Sequence, residues 1–117
     1  GDFTQKSGYE AGRQIAAFDR RPDAVFACND YMAIGAMLAF QEAGIRVPEE
    51  IAVAGFDDIT SARYANPPLT TVQVPVYDLG RRAGERLLRR VQAAVPPEPD
   101  HVHMSHELKV RASTGGR

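Results

Sequence analysis

The sequence predicts an α/β fold, with an open, mainly parallel sheet and helices on both of its faces. Two uncharged runs of strand length, residues 24–28 and 51–56, consist of small, β-branched or aromatic side chains. Strands without polar alternation are typical of a parallel sheet that is covered on both faces. Segments with apolar residues at helical spacing separate these runs, and such alternation of strands and helices indicates the α/β class.

Helix and strand signals divide the chain in order. Thr4 is a good N-cap for the first helix, which should end before Pro22 because the residue preceding a proline disfavours helical angles. The second helix should end at Gly44, and Pro75 suits the first turn of the longest helix. The β-favouring residues 69–74 predict a third strand. The predicted helices cover 5–19, 31–43 and 76–95, with a short turn at 60–64; the predicted strands cover 24–28, 51–56, 69–74, 102–104 and 108–111.

Composition bounds the class of protein. The 117 residues are 44% hydrophobic and 25% charged, as expected for one globular domain or a piece of a larger one. A chain that opens at Gly1 without an initiator methionine favours the piece. The net charge of -1 does not support direct binding to nucleic acid, and no apolar run reaches the ~18 residues of a membrane span. The single cysteine, Cys28, lies in an apolar run and is expected to be a buried, unreactive thiol of a cytoplasmic protein.

Polar side chains follow both uncharged strands. Asp57 and Asp58 come directly after the second strand, and Asn29 and Asp30 come after the first. In open parallel sheets, ligands bind beyond the carboxyl ends of the strands. A carboxylate accepts several hydrogen bonds from sugar hydroxyls or ring N–H groups, and an amide both donates and accepts. We therefore assign Asp57 and Asn29 to a ligand, and Asp58 and Asp30 to capping the next helices; capping is also the competing interpretation of the first pair.

Two other patterns do not support a function. Five arginines on the longest helix share it with Asp78 and Glu85 and lack interleaved aromatic residues, so a solvated face is expected rather than a nucleic-acid surface. His101, His103 and His106 do not keep one strand period and no cysteine joins them, so no metal site is predicted. The chain has no Ser-His-Asp order and no phosphate-binding loop, so we expect no catalysis and no cofactor.

Five strings in register are more specific than the composition. They are G-D-F-T…S-G-Y-E at 1–10, F-A-C-N-D-Y-M-A-I-G-A at 26–36, A-G-I-R-V-P-E-E-I-A-V-A-G-F-D-D at 43–58, P-P-L-T-T-V at 67–72 and E-L-K-V-R-A-S at 107–113. Their order and spacing resemble the C-terminal part of the effector domain of the lac-repressor/galactose-repressor family of bacterial transcription regulators. The resemblance covers nearly the whole chain.

The resemblance implies a partial, two-lobed architecture. Family members have a periplasmic-binding-protein-like effector domain attached to an N-terminal helix-turn-helix. By this analogy, the 117 residues form one partial effector-binding domain, in which 1–74 and 107–114 belong to the second lobe. Residues 76–104 would be a helix and a strand of the adjoining lobe. The DNA-binding segment and most of the first lobe would lie outside this sequence.

The resemblance also implies roles for individual residues. The family positions that match Asp57 and Asn29 contact the effector, and an aromatic ring at the position of Phe3 stacks on it; a place in the core is the competing interpretation of Phe3. The family often carries a polar residue where this chain has Val74 and an aromatic one where it has Val76. These two departures leave the identity of the effector open.

A second face of the helix at 31–43 predicts self-association. Ile34 and Leu38 lie one turn apart, on a side of the helix that does not face the sheet. The segment around Tyr64 and Ala65 resembles the dimer contact of the family. We expect a homodimer in which both subunits use this same patch.

The resulting hypothesis is a part of a transcriptional regulator that binds an effector and dimerises. A small sugar or sugar derivative would bind between two lobes and change their closure, and operator DNA would be bound only through the absent helix-turn-helix. A sugar-binding protein of a transport system has the same architecture and is the first alternative; a signal peptide and a monomeric state would distinguish it. An α/β enzyme is the second alternative, but the chain shows no nucleophile motif for it.

Overall fold

The computed structural model describes residues 1–95, 98 and 101–116. The chain divides into two compact units: Gly1–Gln73 together with Glu107–Arg117 form the first, and Val74–His106 form the second. The first unit holds the sheet and the polar residues that follow its strands. None of the helices in the described residues has the length and apolar composition of a membrane span.

The first unit is built on an open sheet with strand order β1-β2-β3-β4. Strands β1, β2 and β3 are parallel, and β4 runs antiparallel to β3. This arrangement confirms the prediction of an open, mainly parallel sheet. The elements are α1 (Gln5–Ala16), β1 (Ala24–Phe26), α2 (Asp30–Glu42), β2 (Ala52–Asp57), α3 (Thr60–Tyr64), β3 (Thr70–Gln73), α4 (Val76–Gln92), β4 (Glu107–Lys109) and a 3-10 turn at Ala112–Thr114.

The hydrophobic core lies against one face of the sheet. Val53 of β2 is fully buried there, together with Phe40 of α2 and Leu69 before β3. Side chains of neighbouring positions along a strand point to opposite faces. On the opposite face, Phe26 is 63% exposed and Leu108 is 58% exposed. The core therefore forms between the sheet and α2, while the other face keeps apolar surface in contact with solvent.

Helix α1 packs on α2 through an unusually close backbone contact. Thr4 caps α1 as predicted, because its hydroxyl accepts a hydrogen bond from the Ser7 N–H over 3.1 Å. Gly8 of α1 lies directly against the main chain of Met32, so a Cβ atom at that position would collide with backbone. The absence of a side chain at Gly8 thus sets the distance between the two helices.

The second unit contains the longest helix, α4. Its apolar side chains Leu79, Leu87 and Val91 are exposed, and among the described residues of α4 none is buried. Arg81 forms ion pairs with Asp78 and Glu85 on the helix surface. The charged face is therefore solvated, as the sequence predicted, and the apolar side chains of α4 are exposed as well.

Several predicted boundaries differ from the structure. Helix α1 ends at Ala16 instead of residue 19, and β1 ends at Phe26 instead of residue 28. The strand predicted at 102–104 is wrong, since residues 101–106 have no regular structure. Local β propensity does not make a strand unless a neighbouring strand supplies hydrogen bonds. The sequence Pro96-Pro97-Glu98-Pro99 also predicts a rigid spacer, but only Glu98 of this segment lies within the described residues.

The close contact between Gly8 and the backbone of Met32 can be tested by substitution. Gly8→Ala should lower the free energy of unfolding by about 1–3 kcal/mol, because the added methyl group must push the two helices apart. Gly84→Ala is the matched control in α4, where an added Cβ meets no atom within 4 Å and helix propensity favours alanine by up to about 1 kcal/mol. Thermal unfolding followed by circular dichroism measures both. Equal melting temperatures for the two variants would contradict the close contact.

Candidate functional site

The three parallel strands end at one edge of the sheet, and polar residues gather there. Asp57 is the last residue of β2 and lies opposite Gln73, the last residue of β3. Asn29 and Asp30 follow β1 at the start of α2. This edge corresponds to the carboxyl ends of the strands, where the sequence predicted a ligand.

Asp57 combines backbone strain with a free carboxylate. Its φ angle is 116°, a conformation that side-chain-bearing residues rarely adopt and that costs on the order of 1–3 kcal/mol. Its carboxylate accepts no hydrogen bond from any residue that the structure describes. Burial raises the pKa of the Asp57 carboxyl, and the nearby charge of Asp30 raises it further. The side chain is therefore half-buried and strained, with its hydrogen-bonding capacity unused.

Asn29 connects the start of α2 to the N-terminal loop. Its Oδ1 accepts a hydrogen bond from the Met32 N–H over 2.9 Å, so Asn29 is the N-cap of α2. Its Nδ2 donates to the backbone oxygen of Phe3, also over 2.9 Å. The assignment of the cap to Asp30 is therefore wrong. One N–H and one lone pair of the Asn29 amide stay available for a ligand.

Phe3 is held at this edge without being part of the core. Its side chain is 64% exposed and its φ angle is 64°, a left-handed conformation. Asp2 fixes the loop beside it by accepting hydrogen bonds from the N–H and the hydroxyl of Thr4. These bonds lower the pKa of Asp2 to about 2. The core interpretation of Phe3 is excluded, and its ring is open for stacking.

Asp30 has a structural position instead of a capping one. Its side chain is fully buried, accepting a 2.6 Å hydrogen bond from the Thr71 hydroxyl and a 2.9 Å bond from the Ile59 N–H. Burial raises the pKa of Asp30, and these two hydrogen bonds lower it in part. Asp30 therefore joins α2, β3 and the turn after β2 at a single carboxylate.

Asp58 does not cap the following helix, contrary to the prediction. The N-cap of α3 is Ile59, which has no side-chain capping bond. The Asp58 carboxylate instead accepts hydrogen bonds from Arg111 over 2.6 Å and from Gln73 over 3.0 Å, and its side chain is only 5% exposed. Sequence reasoning missed Arg111 because the two residues are 53 positions apart and no local pattern pairs them.

Two further predictions concern reactive side chains. Cys28 is exposed, so the expectation of a buried thiol is wrong; β1 ends two residues earlier and leaves Cys28 in the loop before α2. His101, His103 and His106 lie in the described part of the chain, where no group of three or more His, Cys, Asp or Glu side chains could hold a metal ion.

The residues predicted for self-association fall into two groups. Leu38 is 43% exposed and Tyr64 is 78% exposed, so both present apolar surface to solvent. Ile34 and Ala65 are partly buried and pack against the core of their own unit. Ile34 therefore has a packing partner within the chain, which the sequence pattern did not predict.

The family model described as "periplasmic binding protein-like domain" matches residues 1–114. The chain belongs to this family. The resemblance to the lac-repressor/galactose-repressor regulators is confirmed as well, because the sequence relatives are HTH-type transcriptional repressors and a structural neighbour is a putative regulator of the LacI family.

Sequence relatives include two repressors. The chain is 42% identical to the HTH-type transcriptional repressor PurR of Pasteurella multocida over 117 residues, which is 100% of this chain and 35% of the repressor. It is 46% identical over 104 residues to PurR of Escherichia fergusonii, covering 88% of this chain and 30% of that protein. The chain thus spans about a third of the length of these relatives. Both relatives are named as transcriptional repressors.

Solved structures of regulators have the same fold. A putative LacI-family transcriptional regulator from Sanguibacter keddieii superposes with a TM-score of 0.89 at 41% identity, over 97% of this chain and 42% of that one. The transcriptional regulator CelR in complex with cellobiose superposes with a TM-score of 0.88 at 39% identity, over 97% of this chain and 34% of that one. A LacI-family regulator from Lactobacillus casei with bound glucose gives a TM-score of 0.78 at 36% identity, over 94% of this chain and 39% of that one.

The strain at Asp57 makes a prediction about stability. Asp57→Gly should raise the free energy of unfolding by about 1 kcal/mol, since glycine adopts a positive φ without strain and removes a half-buried charge. Asp57→Ala removes the charge but keeps the strain, so it should be less stable than the glycine variant. Melting temperatures compare the two, and an alanine variant that melts above the glycine variant would show that the backbone is not strained.

Proposed function

We propose that this chain is the effector-binding and dimerisation part of a cytoplasmic transcriptional regulator. A small sugar-like molecule binds between this lobe and a second lobe and alters the affinity of a helix-turn-helix outside the sequence for operator DNA. The free, strained carboxylate of Asp57 at the carboxyl edge of the sheet is the observation that carries the proposal. Strained residues without a structural partner occur mainly at functional sites.

The three candidate contacts suit a polyhydroxylated ligand. Asp57 offers acceptor oxygens that fit two neighbouring hydroxyls, and Asn29 offers one donor and one acceptor. The exposed ring of Phe3 provides an apolar plate against which the C–H face of a sugar stacks. The hydrogen bond between Asn29 and the backbone of Phe3 fixes two of these groups relative to each other.

The structural neighbours support a sugar as the ligand class. CelR was solved with cellobiose, and the Lactobacillus casei regulator was solved with glucose. Over the superposed part, each of these neighbours is more than a third identical to this chain. A change of lobe closure on binding links the effector to the DNA-binding part, because a ligand shifts an equilibrium by its preference for one state.

The two compact units correspond to two lobes in this proposal. Residues 1–74 and 107–114 form the second lobe, and residues 76–104 belong to the adjoining lobe. The exposed apolar stripe of α4 supports this assignment, since an exposed stripe of that length normally packs on another surface. The chain covers only about a third of its relatives, so most of the adjoining lobe is contributed by residues outside this sequence.

The ligand site is tested in the full-length protein. A thermal-shift screen with glucose, sucrose, cellobiose and related sugars selects the ligand, and calorimetric titration then measures its affinity. Asp57→Ala and Asn29→Ala should each weaken binding roughly ten- to a hundredfold, since removing one partner of a buried polar contact costs about 1–3 kcal/mol.

Asp19→Ala is the matched control, because Asp19 is exposed and lies outside the predicted site. It should leave the affinity unchanged. If Asp57→Ala binds the selected sugar within twofold of the wild type, Asp57 is not the contact. If no sugar in the screen raises the melting temperature, the sugar class itself is wrong.

Self-association is proposed to use the exposed side chains of α2 and α3. Leu38 of α2 is exposed beside buried neighbours, and the exposed Tyr64 ends α3. Ile34 and Ala65 complete the proposed patch, although each also packs on its own core. A two-fold symmetric contact would use the same patch on both subunits.

A charge placed in this patch should separate the subunits. Leu38→Glu in the full-length protein is expected to sediment as a monomer at concentrations where the wild type is a dimer, because an unpaired carboxylate in an apolar interface is strongly unfavourable. Phe18→Glu is the control, since Phe18 is also exposed but lies after α1. Dimers of both variants would place the interface elsewhere.

A further inference from the structure

The turn after β2 is held in place at two consecutive residues, Asp58 and Ile59, by contacts to distant parts of the chain. The Asp58 N–H donates to the Thr71 hydroxyl over 3.3 Å, and the Ile59 N–H donates to Asp30 over 2.9 Å. The Thr71 hydroxyl in turn donates to Asp30 over 2.6 Å. The polar groups around Asp57 are thus bonded to the fold, whereas its own carboxylate has no partner among the described residues.

The Asp58 carboxylate makes two further long-range contacts. One of its oxygens accepts a 2.6 Å charge-assisted bond from Arg111, and the other accepts a 3.0 Å bond from Gln73. The second terminal nitrogen of Arg111 donates to the backbone oxygen of Leu69 over 2.8 Å. Arg111 therefore joins the turn after β2 to the residue before β3, and its planar guanidinium fixes the directions of its hydrogen bonds to Asp58 and to Leu69.

Stability alone does not account for this arrangement. The Asp58 side chain is 5% exposed and that of Arg111 is 13% exposed, so both charges are largely removed from water. Replacing such a pair with apolar residues is often neutral or stabilising, because desolvation offsets the attraction between the charges. The pair does fix the position of Asp58, and the residue next to it, Asp57, has the φ angle of 116°.

We propose that Arg111 and Gln73 are positioning residues that act through Asp58 to hold Asp57 in its strained, ligand-directed conformation. This inference rests on the proposed function of Asp57. Gln73 is the last residue of the first unit before the chain enters the second, and Arg111 follows β4, soon after the chain returns at Glu107. The turn that carries Asp57 is thus tied to both chain segments that connect the two units.

A double-mutant cycle in the ligand-free full-length protein tests the positioning. Asp57→Gly raises the melting temperature where the backbone is held under strain. In the Arg111→Met background the turn is released and the strain is relaxed, so the same glycine substitution should give less than half of that rise. Two residues that act independently give additive effects. An equal rise in both backgrounds would overturn the proposal, and this readout does not depend on which ligand the protein binds.

Matched variants separate positioning from general destabilisation. Arg46→Met removes an exposed ion pair with Glu50 of 2.9 Å and should leave the glycine rise unchanged. Gln73→Leu removes only the second contact of Asp58 and should give an intermediate rise in melting temperature. This variant still tests the proposal if Arg111→Met does not fold.

Hydrogen exchange provides an independent measure. In Arg111→Lys, the amides of residues 57–59 should exchange about tenfold faster, a loss of about 1.4 kcal/mol of local protection, while the amides of α2 keep their rates. Uniform acceleration across the unit would instead assign Arg111 to overall stability.

Discussion

The buried carboxylate of Asp30 is the interaction on which the arrangement of this unit depends. It joins the first turn of α2 to the Thr71 hydroxyl in β3 and to the Ile59 N–H after β2. Gly55 makes room for it, because a Cβ atom there would collide with the Asp30 carboxylate. A buried charge is tolerated only where hydrogen bonds replace water, and here those bonds also fix three elements relative to one another.

The same carboxylate influences the site electrostatically. Asp30 is close enough to Asp57 for its charge to raise the pKa of the Asp57 carboxyl, in addition to the effect of burial. Both groups therefore favour the protonated form more than an ordinary aspartate does. Because the pKa of each group is higher in the folded than in the unfolded chain, the folded state binds these protons more tightly. The two groups therefore stabilise the fold more as the pH falls towards the pKa of an aspartate in the unfolded chain. At neutral pH, the repulsion between the carboxylates of Asp30 and Asp57 is unfavourable, and hydrogen-bond donors from outside the chain would reduce it.

Sequence reasoning predicted the elements of the first unit well, because their signals are local. The uncharged run at 51–56 became the central strand β2, Thr4 capped α1, and the strand order is open and mainly parallel. The errors occurred where contacts between residues far apart in the sequence determine the position of a side chain. Asp30 and Asp58 both resemble helix caps in the sequence, but their partners Thr71 and Arg111 lie 41 and 53 residues away. The strand predicted at 102–104 failed for the related reason that strands need neighbours.

The distribution of hydrogen bonds at the carboxyl edge favours one class of molecule as the proposed ligand. In the described part of the chain, no buried side-chain polar atom lacks a hydrogen-bond partner. Asp57 is the contrast, since its half-buried carboxylate is unpaired beside a second acid. An anionic ligand would add a third negative charge to this edge, which is unfavourable at short range. A neutral molecule with several donors would supply the missing hydrogen bonds without that repulsion, and a sugar with vicinal hydroxyls has this property.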